Sequence, residues 1–189
     1  MLKIFTLNTS DFIYEGSLNK VEKALFKWKT PSNIALVKYW GKSEPQLPKN
    51  ASISFTLDNC YTQTSIEFVK IPMVEKPVFE LFFEGEKKES FKPKIAKFFD
   101  RVKVYCPYIY EYEMIIRSEN SFPHSSGIAS SASGMAAIAM CLVSLEQKLN
   151  PELTENYITK KASFLARLGS GSASRSIAVS YTHLRAHET

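Results

Sequence analysis

Ser118–Leu142 reads SENSFPHSSGIASSASGMAAIAMCL, and the fold turns on how this stretch is taken. Phe122-Pro123 closes a polar run, a loop of Gly and small hydroxyl residues follows, and a long, almost wholly apolar run comes next. That order describes a strand end, a turn and the N-terminus of a buried helix beginning at Ile128. Such a terminus carries unpaired N–H groups and a partial positive charge, which suits phosphate. Gly127 and Gly134, with Ala and Ser between them, let a backbone approach a polyphosphate closely. The same residues also suit a capped core helix, because Ser is a favoured N-cap. The loop alone leaves both readings open.

Working outward, strands dominate the chain up to Arg117 and helices follow. Leu25–Trp28 reads as a short strand ended by Thr30-Pro31-Ser32-Asn33. Ile34–Lys42, IALVKYWGK, is apolar and then bunches Lys38, Tyr39, Trp40 and Lys42 near a glycine. Two lysines and a phenol there can grip a phosphate or can line an ordinary solvated edge. Ser52–Leu57 alternates as a half-buried strand does, and Thr62–Val69, Val78–Phe83 and Tyr110–Arg117 read as further strands. Pro93–Val104 has helical spacing at Ile95, Phe98, Phe99 and Val102. After the helix from Ile128 to Leu149, Asn150 is expected to cap a helix whose first residue is Pro151 and which ends near Leu168, with Gly169 as C-cap. Gly169–Ile177, GSGSASRSI, is rich in donors. Arg175 in it can hold a carboxylate or phosphate by two parallel bonds, or the segment can be a flexible linker.

Composition limits the function classes. With 189 residues, 44% apolar and 23% charged, the chain suits one sizeable globular domain. Its net charge of +5 is mild, with Lys and Glu interleaved, which argues against a nucleic-acid stripe and suits small anionic ligands. Three widely spaced cysteines, Cys60, Cys106 and Cys141, read as reduced thiols in a cytoplasm and not as a metal cluster. The apolar stretch Gly134–Leu145 is too short to span a bilayer, and Asp11 and Glu15 interrupt any signal-peptide layout. His183 and His187 have an i, i+4 spacing, but Leu184 stands where a zinc-protease motif needs Glu, so no metal site is expected.

Three blocks together carry a resemblance. They are Pro31–Lys42 followed by SISFTL at Ser52–Leu57, the loop Pro123-x-x-x-Gly127-Ile-Ala-Ser-Ser-Ala132, and Ala166–Ser176, ARLGSGSASRS. In this order they resemble the diphosphomevalonate decarboxylase family of the GHMP kinase superfamily, over about residues 25–177. The resemblance implies an α+β fold, the GHMP kinase N-terminal domain (ribosomal protein S5 domain 2-like). That fold has a mixed sheet with helices on one face and a left-handed βαβ crossover. It implies Mg-ATP and phosphorylation of the 3-hydroxyl of mevalonate 5-diphosphate, followed by loss of phosphate and carbon dioxide to give isopentenyl diphosphate in a cytoplasmic pathway.

It also implies residue roles. Gly127, Ile128, Ala129, Ser130, Ser131, Ala132 and Ser133 would cradle ATP; Lys38, Tyr39 and Lys42, with Asn33 close by, would hold the substrate diphosphate. Ser170 and Ser172 would line the substrate pocket, and Arg175 would orient the carboxylate. His124-Ser125-Ser126 departs from the family's usual Thr and small apolar residues. That departure leaves room for a monophosphate or 3,5-bisphosphate substrate, with His124 either a phosphate contact or a surface turn residue. The family's second half, with its catalytic Asp, is expected to be missing. Ala178–Thr189 reads as a non-native tail, so the chain is expected to be an N-terminal half, inactive alone, of a parent that can be a homodimer. The alternatives are another GHMP small-molecule kinase, a non-catalytic nucleotide binder, or an RNA-binding module of the same fold.

Overall fold

The computed structural model describes residues 9–17, 19–37, 41–43, 47–49, 53–123 and 127–178. The order of elements is β1 (Lys23–Val37), β2 (Lys42–Ser43), β3 (Leu47–Pro48), β4 (Ile53–Lys70), β5 (Val78–Phe83), β6 (Glu86–Lys87), α1 (Lys92–Val102), β7 (Tyr112–Asn120), α2 (Ser130–Leu149), α3 (Glu155–Gly169) and α4 (Arg175–Ala178). One sheet runs β1-β4-β7-β5-β6, and β2 pairs with β3 in a separate two-stranded sheet. Within the sheet β5 and β7 are parallel and the other pairs antiparallel, so the sheet is mixed. α1 lies in the crossover that the parallel pair requires.

Period-two alternation builds the core. Ile66 and Phe68 on β4 and Tyr112, Met114 and Ile116 on β7 are fully buried, and the residues between them are not. The buried faces take α2, which is buried nearly all round because the sheet covers one side and α3 the other. Trp28 Nε1 donates to Ser144 Oγ at 2.8 Å and fastens β1 to α2. Two residues further on, Glu146 on α2 meets Lys161 on α3 at 2.6 Å. Met135 on α2 lies against Gly169 on α3, so the two helices run antiparallel.

Several expected boundaries move. Thr30-Pro31-Ser32-Asn33 does not end a strand: β1 runs on to Val37, because an edge strand tolerates proline and a register shift between Pro31 and Asn33 absorbs it. Ser52–Leu57 and Thr62–Val69 are parts of one strand, β4. α3 is capped by Thr154, whose side chain accepts from Tyr157 N, and not by Asn150, which ends α2. Gly169 is the last residue of α3 and Ser170 its C-cap, in extended conformation. A Cβ on Gly169 would stand 2.8 Å from Met135 Sδ and 3.0 Å from Phe98 Cδ2, so glycine is there for close approach and not for a left-handed turn. α2 begins at Ser130, two residues later than expected.

Candidate functional site

Antiparallel packing of α2 and α3 brings Ser170–Arg175 back to the end of the molecule where α2 begins. There the chain turns tightly through residues 171–174 and enters α4, which packs on β1, α2 and α3. The segment is therefore built in, and not a linker: Ala173 and Ile177 are buried, and Ser176 accepts from Asn33 Nδ2 at 2.9 Å. Ser170, Ser172 and Arg175 remain partly accessible. Asn33, expected near the substrate, is 4% exposed with its amide engaged by Ser176.

The loop before α2 turns on a left-handed backbone. Gly127 has φ of 79° and Ala129 φ of 50° and ψ of 35°, so two residues of the turn are left-handed. Among the described residues nothing lies within 4 Å of a Cβ on Gly127, whose positive φ is what favours glycine there. Ala129 is the N-cap and offers no side-chain cap. The first helical bonds are Ala132 N to Ala129 O at 2.8 Å and Ser133 N to Ala129 O at 3.3 Å, which leaves the N–H groups of Ser130 and Ser131 ahead of them.

Ser130 and Ser131 stand partly or fully exposed at this end, but Ala132 and Ser133 face inward. Ser133 is a hub: Thr30 Oγ1 donates to its carbonyl at 2.7 Å, and its hydroxyl lies 2.9 Å from Ser32 Oγ and 2.6 Å from Thr62 Oγ1. Thr62 Oγ1 donates to Asn120 Oδ1 at 2.8 Å and Ser133 Oγ donates to Ser130 O at 3.2 Å, so the hydroxyls of Ser32, Ser133 and Thr62 form one network that ends at Asn120. Asn120 ends β7 where the loop begins, and its Nδ2 is buried with no hydrogen-bond partner among the described residues. A buried donor left in this way is costly unless a ligand or water completes it.

Lys94, in the first turn of α1, donates to Ser131 Oγ at 2.6 Å and so sets a cation beside the start of α2. The sequence reading missed Lys94, Asn120 and the Thr30, Ser32 and Thr62 hydroxyls, because their partners are far away in the chain and no local spacing marks them. Lys38, Tyr39, Trp40 and His124 lie outside the described residues, as does the side chain of Lys42. Among the described residues no three His, Cys, Asp or Glu side chains gather to hold a metal, and no helix is long and apolar enough to cross a membrane.

The mixed sheet with its α1 crossover and packed helices is the GHMP kinase fold, the fold of the mevalonate diphosphate decarboxylases. The chain belongs to the diphosphomevalonate decarboxylase family: residues 30–189 match the model of the diphosphomevalonate decarboxylase-like N-terminal domain. It is 33% identical to the diphosphomevalonate decarboxylase of Saccharomyces cerevisiae, over 78% of this chain and 38% of the relative. It is 35% identical to the phosphomevalonate decarboxylase of Haloferax volcanii, over 79% and 43%. Among solved structures, mevalonate diphosphate decarboxylase from Staphylococcus aureus superposes with a TM-score of 0.64 at 38% identity, over 82% of this chain and 44% of that one. A decarboxylase solved with MVAPP, AMPPCP and magnesium gives a TM-score of 0.65 at 35% identity, over 82% and 44%. The chain thus spans about four-tenths of the length of these relatives.

Proposed function

We propose that this chain is the ATP- and substrate-binding half of an ATP-dependent decarboxylase acting on mevalonate 5-diphosphate. The observation that carries the reading is the uncapped, left-handed entry to α2, with Lys94 beside it and the orphaned Asn120 amide at its base. A γ-phosphoryl group held on the Gly127–Ser131 backbone would sit against the helix N-terminus. In this reading Ser130 and Ser131 add hydroxyls, and Lys94 leaves Ser131 to meet phosphate charge. Ala132 and Ser133 keep the helix start in place from inside.

Transfer of that group to the 3-hydroxyl gives ADP and a tertiary phosphate. The phosphate then departs as the electrons of the bond to the carboxylate form the new double bond, releasing carbon dioxide and isopentenyl diphosphate. Arg175, supported on the α4 turn, holds the carboxylate with that bond aligned to the leaving phosphate. Ser170 and Ser172 line the pocket, Lys38, Tyr39 and Lys42 take the diphosphate, and Asn33 fixes the α4 turn close by. Mg2+ would neutralise phosphate charge; the described residues offer it no acidic cluster, so we assign it no ligand in this chain. The catalytic aspartate is assigned to the second half.

The similarity to the Haloferax volcanii enzyme favours one second reading, a decarboxylase of mevalonate 5-phosphate. The deciding experiment joins this chain to the downstream half of a relative and measures carbon dioxide. Release that needs both ATP and mevalonate 5-diphosphate is expected, and Arg175→Ala cuts it by roughly a hundredfold or more. Release with the monophosphate alone moves the assignment to the second reading.

A further inference from the structure

α3 ends against α1. Arg101, in the last turn of α1, donates from Nη1 to the carbonyl of Leu168, in the last turn of α3, at 2.9 Å. The last carbonyls of a helix have no partner further along it, and a cation is favoured beside them. Arg101 thus caps α3 from another helix. Phe98, one turn earlier on α1, has its Cδ2 3.0 Å from where a Cβ on Gly169 would lie. The seat of the Ser170–Arg175 turn is therefore set by α1 on one side and by the Asn33–Ser176 bond to β1 on the other. Within the turn Ala173 N donates to Ser170 O at 2.8 Å and Arg175 N to Ser172 O at 3.2 Å, so a shift at its base is carried to Arg175.

The start of α1 reaches the phosphate loop, where Lys94 donates to Ser131 Oγ at 2.6 Å. Lys94 and Arg101 are less than two helical turns apart, about 10 Å along the axis. The cation beside the phosphate loop and the cation that caps α3 thus stand on one short, stiff helix.

We propose that Arg101 is a positioning residue for the decarboxylation. Through Leu168 it fixes the turn that aims Arg175 at the substrate carboxylate, and α1 keeps that turn at a set distance from the phosphate loop. This rests on the proposed function, in which Arg175 holds the carboxylate in line with the leaving phosphate. A misplacement of about 1 Å in such an alignment costs up to about a hundredfold in rate.

The test is a cycle of variants in this chain joined to the downstream half of the Staphylococcus aureus relative, with carbon dioxide release as the readout. Arg101→Met keeps the apolar stem and removes the donor. It cuts kcat/KM for the phosphorylated mevalonate that supports release by roughly tenfold, and leaves the KM for ATP within about twofold. Arg101→Lys, which still offers a donor, recovers most of the loss. In an Arg175→Ala background Arg101→Met changes the rate by less than about twofold, because it acts through a group already gone. Equal losses in both backgrounds overturn the proposal, as does a loss shared by ATP and the mevalonate substrate, because either marks a general structural role. Failure of Arg101→Lys to recover also overturns it. Amide exchange in the joined protein gives a check that needs no turnover. Arg101→Met quickens exchange at Ala173 and Arg175 and leaves the first turn of α2 as it was; unchanged exchange at those two amides overturns the proposal. An unimpaired Arg175→Ala, read from that variant alone, overturns the proposed function and this inference with it.

Discussion

Asn33 and Ser176, 143 positions apart, meet in a buried hydrogen bond from Nδ2 to Oγ at 2.9 Å. The bond joins β1 to the turn that carries Arg175. Asn33→Ala removes the donor and leaves a buried hydroxyl short of its partner. A loss of about 1–3 kcal/mol is expected, read as a lower urea midpoint at unchanged slope. A loss well below this range would show that water replaces the amide and that Asn33 is placed for a ligand.

Serines of the loop should separate by role. Ser133→Ala removes the hydroxyl that links Ser32 and Thr62, so it should cost about 2–3 kcal/mol. Ser131→Ala touches only an exposed contact with Lys94 and should alter stability by less than about 0.5 kcal/mol. Binding of a non-hydrolysable ATP analogue, measured by titration calorimetry on the ligand-competent protein, should respond in the reverse order. Equal stability losses in the two variants would refute this division.

Much of the fold was legible because burial writes a period into sequence. Alternation marked Thr62–Val69, and spacing marked Ile95, Phe98, Phe99 and Val102 on α1. The errors fell where tertiary position overrides a local signal. Pro31 reads as a strand breaker, but an edge strand with a bulge accommodates it. Asn150-Pro151 reads as a helix start, yet Asn150 spends its side chain on the turn, accepting from Glu152 N at 3.3 Å, and Thr154 caps α3. Of the site, the loop and the Arg175 segment could be found from composition. Lys94 could not, because its partner Ser131 lies 37 residues further on and on another helix.

Gly169 is fixed by its neighbours. Gly169→Ala would bring a Cβ to 2.8 Å from Met135 Sδ, 3.0 Å from Met135 Cγ and 3.0 Å from Phe98 Cδ2. Overpacking of this kind costs about 1–3 kcal/mol, more than the last helical position gains from alanine. A lower melting temperature is expected, and Met135→Ala in the same chain should restore part of it. Alanine that stabilises would show that α3 can shift away from α1 and α2.

Glu146 and Lys161 form a fully buried ion pair at 2.6 Å, with Tyr108 OH donating to the second carboxylate oxygen at 3.1 Å. Burial pushes the Glu146 carboxyl above its ordinary value, and the Lys161 charge opposes this. Lys161→Met removes the opposition, so the folded carboxyl holds its proton still more tightly than the unfolded one. Below the unfolded value both states are protonated, and the variant loses little. As pH rises the unfolded chain ionises freely while the folded one cannot, and stability falls. The loss should therefore grow from acid toward neutral pH, reaching about 3–5 kcal/mol. Urea midpoints across that range check it; a loss independent of pH would mean that the pair is not ionic.

The cysteines test the core directly. Cys106 and Cys141 are fully buried, whereas Cys60 is partly exposed on β4. Burial raises the Cys106 thiol to about 12 and the Cys141 thiol higher still. Only the thiolate attacks a disulfide reagent, so both buried groups are doubly protected, by access and by protonation. At mildly alkaline pH one thiol, Cys60, should react promptly in the folded protein. The other two should react only as fast as the chain opens, and all three at once in denaturant. Cys60→Ser should remove the fast phase alone. A fast phase that persists in that variant would place Cys106 or Cys141 at the surface and refute the packing around that cysteine.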